Sequence, residues 1–515
     1  MERFQEILNL IAASRETYAA VFLAVSRYLV PALGVWLLLH CARPLISFRR
    51  EPEIWAWLKF GDGSQVAVTH WENVIGRSKS SDINIALSTV SRNHAVLTRY
   101  DDGSWTITDA SSKTGTWVNG EKVDIRAVHE GDTISIGGVD MELQVITKRQ
   151  EQLQAQLRTR GSGGWSGLLG LLILTLLQAV MLAGFLLNGP EEEFRTYFLG
   201  FGAVTVCQWV LFLFYLMIRR SSFEVETLAF FLCTLGAAAI ATVKPQELGK
   251  QSAAMVLGIL VFLMIGWSLR DLERAKRFRY LAVLAGVGFL VVTLLFGKEY
   301  YGAKNWLVIG GMSLQPSELS KVCFVYAGAS TMDRIMNKRN LILFIAYSVV
   351  ICGLLALMND FGTAMIFFCA FLIIAYLRSG SVGTIALACT ALGFAGVLAI
   401  RIAPHAMSRF ASWRHIWENP YTSGYQQTQA IMCIASGGLF GLGPGNGYLQ
   451  KVFAADSDIV FATISEEWGL LVALQAVAAI SVLGLFSMRT SRVSRSSFYC
   501  IGGCTAAGIL LIQAS

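Results

Sequence analysis

Charged side chains are scarce in this sequence, at 15% of 515 residues, whereas a soluble domain carries about a quarter. Hydrophobic residues make up 54%, and apolar runs of about 18 residues or more, long enough to cross a bilayer, recur along the chain. The scarcity of charge argues against a wholly soluble protein and predicts a polytopic α-helical membrane protein. The net charge of +7 comes from Lys and Arg clustered in short loops, where such residues set orientation, so we expect a membrane and no nucleic acid as partner.

Cysteine motifs are also lacking. The ten cysteines lie mostly inside apolar runs and form no C-x-x-C pattern, so we predict small core residues and no metal site. The N-terminus has mixed charge and no small-residue cleavage site after its first apolar run, so we expect no cleavable signal peptide.

The apolar runs predict about twelve spans, interrupted after the first by a stretch of different character. Two of the predicted spans, 384–402 and 465–488, lie on either side of a polar loop. Basic residues fall in alternate loops, which places that stretch in the cytoplasm and a polar loop at 402–464 outside the cell membrane. The predicted segments are an anchor at 1–50, a β-sandwich at 53–146, a linker at 147–165, two accessory helices at 166–222 and a core at 223–515.

The stretch at 53–146 alternates polar and apolar residues and carries the hairpin signals Asn119-Gly120 and Gly137-Gly138. It contains the motifs IGR, SRNHA and DASSKTGTWVNG in that order. These resemble the forkhead-associated (FHA) domain, a reader of phosphothreonine peptides. The resemblance implies phosphothreonine binding by six residues: Arg77, Ser91, Arg92, Lys113, Thr114 and Asn119. Thr114 departs from the family, which commonly has Asn there, and Asn119 has the alternative role of shaping its turn.

Three segments of the apolar half combine polar residues with membrane boundaries. They contain GAKNW followed by QPSELSK, then MNDFGTA, then GYQQTQA with ASGGLFGLGPGNG and DSDIVFATISEEWG. Pro316 suits a helix start, and Glu318 and Lys321 then share one helix face, where they predict an ion pair.

Together these segments resemble the SEDS family of FtsW, RodA and SpoVE, proteins of bacterial shape, elongation, division and sporulation. The resemblance implies a helical core that polymerises lipid II, working with a class B penicillin-binding protein. It also implies a segment beyond Ser515, so we expect a C-terminally truncated core. It places substrate binding at nine positions: Lys304, Trp306, Glu318, Lys321, Asp360, Arg409, Gln426, Gly437 and Gly438.

The loop at 402–464 departs from the family at its expected catalytic carboxylate. Relatives carry Asp-Pro before the G-x-Q segment, whereas this chain has Asn419-Pro420. An amide cannot act as a base, so either a carboxylate near Asn419 takes the role, with Glu418, Asp456 and Asp458 as candidates, or polymerisation is impaired. A divalent cation, Mg or Mn, at the pyrophosphate of the substrate remains an option. Glu466 and Glu467 are expected to begin the next helix, where acids favour the helix dipole.

The leading hypothesis is a cell-membrane peptidoglycan glycosyltransferase acting on undecaprenyl-linked lipid II. Its FHA module would bind a protein that a Ser/Thr kinase has phosphorylated on threonine. Two alternatives remain open: a non-catalytic scaffold that recruits a penicillin-binding protein in division or shape control, and a lipid II flippase.

Overall fold

The computed structural model describes most of the chain, and its described backbone covers residues 2–47, 53–79, 81–100, 102–159, 164–218, 222–300, 303–310, 312–331, 338–379, 416–422 and 424–514, with a few single positions between them. The chain forms two compact units. The first comprises residues 1–48, 160–263 and 391–483, and the second comprises 49–159, 264–390 and 484–515.

The second unit begins with a β-sandwich, as the alternating pattern predicts. Its strands are β1 (Ala56–Phe60), β2 (Gln65–Val68), β3 (Glu72–Gly76), β4 (Ile83–Asn84), β5 (Ala95–Arg99), β6 (Trp105–Asp109), β7 (Thr116–Val118), β8 (Glu121–Val123), β9 (Ile125–Val128), β10 (Thr133–Ile136) and β11 (Val139–Val145).

Two sheets make up the sandwich. One has the strand order β2-β1-β11-β10-β7-β8 and the other β4-β3-β5-β6-β9, with only the β3–β4 pair parallel among the described strands. Inward-facing residues of both sheets, such as Leu58, Ile107 and Ile134, are fully buried. Because successive side chains alternate between faces, strands such as β7 and β10 bury one row and leave the other more exposed, whereas β3 and β5 are buried on both faces.

The segment after the sandwich, predicted as a linker at 147–165, contains a helix. Helix α2 (Lys148–Thr159) packs back on the sandwich through the Arg99–Glu151 ion pair at 2.7 Å. The Arg99 guanidinium also lies over Trp55, 4.6 Å from the ring centroid. This end of the connector is therefore held on the sandwich.

Among its described residues, the first unit contains four long apolar helices, parts of two more and two short helices. They are α1 (Glu2–Ser47), α3 (Gly164–Asn188), α4 (Phe194–Met217), α5 (Glu224–Val243), part of α6 (Leu248–Leu269), α11 (Tyr425–Gly437), α12 (Val460–Trp468) and part of α13 (Leu470–Arg492). Helix α3 packs on α1, α4 and α5, so the predicted accessory helices lie directly against α5.

A buried polar network joins α3, α4 and α5. The amides of Gln178 and Gln208 donate to each other's oxygens at 3.0 Å, and Gln178 also donates to Thr234 Oγ1 at 2.9 Å. Both glutamines are about as buried as side chains can be. In an apolar setting such groups must be satisfied within the protein, so the network specifies how these three helices pair.

The rest of the second unit is a group of helices and a small sheet. It contains α7 (Leu272–Phe296), β12 (Lys298–Tyr300), β13 (Ala303–Ile309), β14 (Met312–Leu314), α8 (Pro316–Thr331), α9 (Lys338–Leu357), α10 (Phe361–Ser379) and α14 (Ser497–Ala514). Helix α8 packs on α7, α9, α10 and α14, and its Phe324 ring contacts Phe344 of α9 and Phe367 of α10.

Ten helices among the described residues are long and apolar enough to cross a membrane. The predicted fold class, a polytopic helical protein with a sandwich after its first span, is confirmed. The predicted span at 384–402 lies almost wholly outside the described residues. The predicted continuous span at 465–488 is wrong at its start, because α12 ends at Trp468 and α13 begins at Leu470. Gly469 between them has φ +93°, and a Cβ there would lie 2.3 Å from the Leu439 carbonyl oxygen.

Candidate functional site

Three loops meet at one end of the sandwich and bring together four of the predicted phosphothreonine contacts. The Arg77 N–H donates to the Ser91 carbonyl at 2.9 Å, and the Lys113 N–H donates to Ser91 Oγ at 3.1 Å. Thr114 Oγ1 donates to the Thr89 carbonyl at 3.2 Å. Arg77 and Lys113 are exposed, so this surface presents a guanidinium and an ammonium beside a serine hydroxyl, a set suited to a phosphate dianion.

His94 and Asp109 hold these loops in place from below. The Ser91 N–H donates to His94 Nδ1 at 3.1 Å, so Nε2 carries the proton and donates to the Gly115 carbonyl at 3.1 Å. Asp109 accepts from the hydroxyls of Ser112 at 2.6 Å and Thr116 at 2.7 Å. Burial opposes ionisation of Asp109, but these hydrogen bonds outweigh it and hold its pKa below the usual range.

Sequence reasoning missed the role of Asp109, the first residue of the DASSKTGTWVNG motif. Its signal was the spacing to Ser112, three residues on, which is typical of a side-chain turn. The glycine of the IGR motif has an equally specific cause. A Cβ on Gly76 would lie 2.2 Å from the Arg92 carbonyl oxygen, so a glycine is needed where two loops cross.

Arg92 and Asn119 lie differently from the other four. The Arg92 side chain is exposed, while its carbonyl accepts the Ser78 N–H at 3.1 Å. Asn119 adopts φ +51° and donates to Asp132 Oδ1 at 2.8 Å, and its own Oδ1 accepts the Thr133 N–H at 2.9 Å. These contacts give Asn119 the turn-shaping role that the sequence left open.

A three-stranded sheet carries Lys304 and Trp306, and no local pattern had predicted it. The Lys304 N–H donates to the Met358 carbonyl at 3.0 Å, and the Asn305 amide donates to Asp360 Oδ2 at 3.2 Å. Asp360 also accepts the Thr363 N–H at 3.1 Å in the first turn of α10. The MNDFGTA motif therefore joins β13 to α10, and Asp360 is the residue that contacts both.

Glu318 and Lys321 form the predicted ion pair in the first two turns of α8. The Lys321 ammonium lies 2.8 Å from Glu318 Oε1. The Lys321 side chain is 5% exposed and that of Glu318 is 53% exposed. The lysine is thus the desolvated partner, and the acid is the one a polar ligand can reach.

In the first unit, residues 437–447, called the glycine loop, begin at the end of α11 and pack against α12. A Cβ on Gly437 would lie 2.4 Å from the Ser465 carbonyl oxygen, and one on Gly441 would lie 2.2 Å from the Glu467 carbonyl oxygen. At these two positions the close backbone approach is to the protein's own chain. Gly438 is exposed, with φ +57° at the end of α11.

Two buried acids of α12 organise the remainder of that loop. Glu466 accepts the N–H groups of Tyr448 at 2.8 Å and Leu449 at 3.0 Å. Glu467 accepts the Gly445 N–H at 3.0 Å and the Thr242 hydroxyl. Burial raises the pKa of Glu467 to about 7 despite these hydrogen bonds.

The expectation that Glu466 and Glu467 begin a helix is wrong. They end α12, each is 1% exposed, and their carboxylates are directed to the glycine loop. Sequence reasoning missed this role because the acids and their backbone donors are separated along the chain. Two adjacent acids just before an apolar span were the available signal.

The predicted catalytic residues lie on two short turns of the first unit. Glu418 and Asn419 are exposed at the end of the turn Ile416–Glu418, and the Asn419 carbonyl accepts the Gly424 N–H at 3.0 Å. Asp458 is exposed and accepts the Ser457 hydroxyl at 3.1 Å.

Two contacts hold the segment before Asp458. The Gln426 amide donates to the Phe453 carbonyl at 3.1 Å, and Asp456 pairs with Lys244 at 3.0 Å. Gln426 thus links α11 to this turn. Arg409 lies outside the described residues.

Comparison with known proteins decides the family. The sequence model of the FtsW/RodA/SpoVE family, described as cell cycle protein, matches residues 225–515, more than half of the chain. The chain belongs to the FtsW/RodA/SpoVE family. A second model, described as FHA domain, matches residues 73–137, so the sandwich is an FHA domain. Both predicted resemblances are confirmed.

Curated members of the FtsW/RodA/SpoVE family show the extent of the likeness. The chain is 28% identical over 279 residues to a protein named peptidoglycan glycosyltransferase RodA from Mycobacterium tuberculosis, which covers 50% of this chain and 59% of that protein. It is 32% identical over 260 residues to a probable peptidoglycan glycosyltransferase FtsW from Nitrosococcus halophilus, covering 48% and 65%. The chain thus spans about three-fifths of the length of these relatives.

Solved structures resemble each part separately. A structure of a peptidoglycan synthase complex aligns with 56% of this chain and 83% of its own, at 22% identity and a TM-score of 0.44. The Slr1951 protein from Synechocystis aligns over 18% of this chain and all of its own, at 33% identity and a TM-score of 0.17.

Proposed function

We propose that this chain is a membrane peptidoglycan glycosyltransferase that polymerises lipid II and is controlled through its FHA domain. The observation that carries the proposal is the match over residues 225–515 to a family whose similar members are named peptidoglycan glycosyltransferases. The buried acids under the glycine loop support it, because they give a polar loop of the first unit a defined shape.

In the proposed reaction, the sugar 4-hydroxyl of one lipid-linked disaccharide attacks the anomeric carbon of a growing glycan. A new C–O bond forms there, the bond to undecaprenyl pyrophosphate breaks, and the hydroxyl proton passes to a carboxylate. Glu418 is the proposed base, since it is an exposed acid beside the position that Asn419 occupies. Asp458 is the second candidate.

Positive charge at the departing pyrophosphate would stabilise it. Lys451, exposed in the same loop with its ammonium 5.6 Å from the Tyr448 ring centroid, is the described cation we propose for this role. Arg409 is proposed alongside it from the sequence alone. Among the described residues, no three His, Cys, Asp or Glu side chains cluster to hold a metal. A Mg or Mn ion bound with the pyrophosphate would take oxygen ligands from it and from water, and would add positive charge there.

The proposed orientation has the FHA domain in the cytoplasm and the loop at 402–464 outside. The basic residues around the start of α7 and the end of α13 support it, because cytoplasmic ends of spans are rich in Lys and Arg. A class B penicillin-binding protein is the proposed partner at the outer face. The proposed partner of the FHA domain is a protein that a Ser/Thr kinase phosphorylates on threonine.

The direct test gives labelled lipid II to the purified full chain together with its class B penicillin-binding protein, and reads glycan length on a gel. We expect polymer from the wild type and at least about a hundredfold less from Glu418→Gln, as expected for loss of a general base. Glu192→Gln, an exposed acid elsewhere in the first unit, is the matched control. Polymer that survives Glu418→Gln excludes Glu418 as the base, and the same assay on Asp458→Asn then tests the second candidate.

A scaffold that recruits a penicillin-binding protein is the second candidate function, and Asn419 favours it. An absence of polymer with wild-type chain that still binds lipid II and the penicillin-binding protein would support the scaffold. Transport of labelled lipid II across liposomes without polymerisation would instead support a flippase.

A further inference from the structure

The FHA sandwich has a second contact surface, formed by His70, Trp71 and Glu72 where β3 begins. This surface lies against the turn between α13 and α14, within the second unit. The backbone N–H of Trp71 donates to the Arg495 carbonyl at 2.6 Å, and Nδ1 of the His70 imidazole donates to the Ser494 carbonyl at 2.9 Å. We call these three residues the docking surface.

Glu72 completes the N-terminus of α14 from outside the helix. Its Oε2 accepts the Ser497 N–H at 3.0 Å, and its Oε1 accepts the Ser496 hydroxyl at 3.2 Å. Glu72 is 8% exposed and Ser496 is 1% exposed, so both groups are buried by the contact. A carboxylate at a helix N-terminus satisfies N–H groups that the helix leaves open and opposes the positive end of its dipole.

Arg495 adds a stacking contact on the same surface. Its guanidinium lies 4.8 Å from the Trp71 ring centroid and 5.6 Å from that of Tyr499. Trp71 is 4% exposed, and it also lies 5.5 Å from the guanidinium of Arg99. The turn therefore offers the sandwich a cation, two carbonyls and a helix N-terminus, and the docking surface meets each with a complementary group.

The docking surface and the phosphothreonine loops lie at opposite ends of one strand. Strand β3 runs from Glu72 to Gly76, and Arg77 follows it. A strand rises about 3.3 Å per residue, so the five steps from Glu72 to Arg77 cover about 17 Å. A peptide bound beside Arg77 and Ser91 would lie away from the docking surface, so the contact between that surface and the α13–α14 turn would stay in place.

We propose that the sandwich is held on the α13–α14 turn by this docking surface and reads phosphothreonine while docked. The FHA domain is then a reader with a fixed position on the helices of the second unit. The reading half of this statement rests on the proposed function, whereas the docking half stands without it.

Hydrogen exchange of the full chain in detergent micelles tests the docking half. We expect slow exchange of the amides of Trp71 and Ser497, and at least about tenfold faster exchange at both in Glu72→Ala, because each lies in the contact. Arg495→Ala should accelerate the same amides, and it alters only the turn, so it separates undocking from damage to the sandwich. Glu130→Ala, an exposed acid of the same sandwich, is the matched control. Wild-type exchange at intrinsic rates, or Arg495→Ala indistinguishable from wild type, would overturn docking.

A degenerate phosphothreonine peptide library, with its unphosphorylated twin, tests the reading half on the same samples. We expect phosphate-dependent binding that changes less than about threefold in Arg495→Ala, and unchanged protection of Ser497 when the peptides are bound. Binding that strips the protection from Ser497 would refute reading in the docked state. No phosphate-dependent binding, with Ser497 still protected, would refute the reader and leave docking intact.

Discussion

The carboxylate of Glu467 accepts a hydrogen bond at 3.0 Å from the backbone N–H of Gly445, 22 residues earlier in the chain. Glu466 does the same for Tyr448 and Leu449. The glycine loop is thus shaped by acids of the helix that follows it as well as by its own glycines.

The protonation of Glu467 should make the stability of this loop depend on pH. Burial raises the pKa of Glu467 to about 7 in the folded chain, above the value of 4.5 for an unperturbed glutamate. Between these values the folded state holds the proton more tightly than the unfolded state, so stability falls as pH rises from about 4.5 to 7. The full effect is about 3 kcal/mol.

Thermal unfolding of the full chain in detergent, followed from pH 5 to 8, measures this effect. Glu467→Gln carries a neutral side chain of similar shape, so its melting temperature should fall less across the window than that of the wild type. Glu192→Gln should follow the wild type, since that side chain is exposed. Equal slopes for wild type and Glu467→Gln would show that this carboxyl does not titrate in the window.

Asn419 gives a test by gain of function. The family resemblance implies Asp at this position, so Asn419→Asp supplies a carboxylate that can accept a proton. We expect about tenfold or more polymer from Asn419→Asp in the lipid II assay, and no gain from Asn419→Ala. A variant with no gain would indicate that the base already lies elsewhere in the loop.

Arg77 should carry most of the phosphate recognition by the FHA domain. Charge-assisted hydrogen bonds contribute about 1.5–3 kcal/mol each, so Arg77→Ala should weaken phosphothreonine peptide binding at least about tenfold. Calorimetry on the full chain measures the affinity, and Lys79→Ala, an exposed cation two residues on, is the control. Equal losses in both variants would point to diffuse charge in place of a site.

The glutamine pair between α3 and α4 should stabilise the accessory helices. Gln178→Leu removes the donor to the buried Gln208 Oε1 and the hydrogen bonds to Thr205 and Thr234, so we expect a loss of about 2 kcal/mol. The double variant Gln178→Leu with Gln208→Leu should lie closer to the wild type, because it removes both halves of the pair. Melting temperatures in detergent measure both, against the exposed control Gln251→Leu. A double variant that loses as much as two single ones would contradict the network.

The FHA domain could be predicted almost completely from the sequence because its determinants are local. Gly76, His94 and the turn residues act within short loops whose spacing is visible in the chain. The ion pair of Glu318 and Lys321 was predictable for the same reason, since three residues on a helix bring two side chains to one face. The roles of Glu418 and Asp458 as catalytic bases stay predictions.

Composition and motif order by themselves determined the membrane class, the sandwich and the family, because burial in lipid and short-range turns leave patterns in the chain. Only the tertiary structure decided that Glu466 and Glu467 hold the glycine loop and that Glu72 completes the start of α14. Each of these contacts joins an acid to backbone N–H groups, which every residue but proline carries. A backbone donor leaves no mark in a sequence, so folding alone reveals which acid it meets.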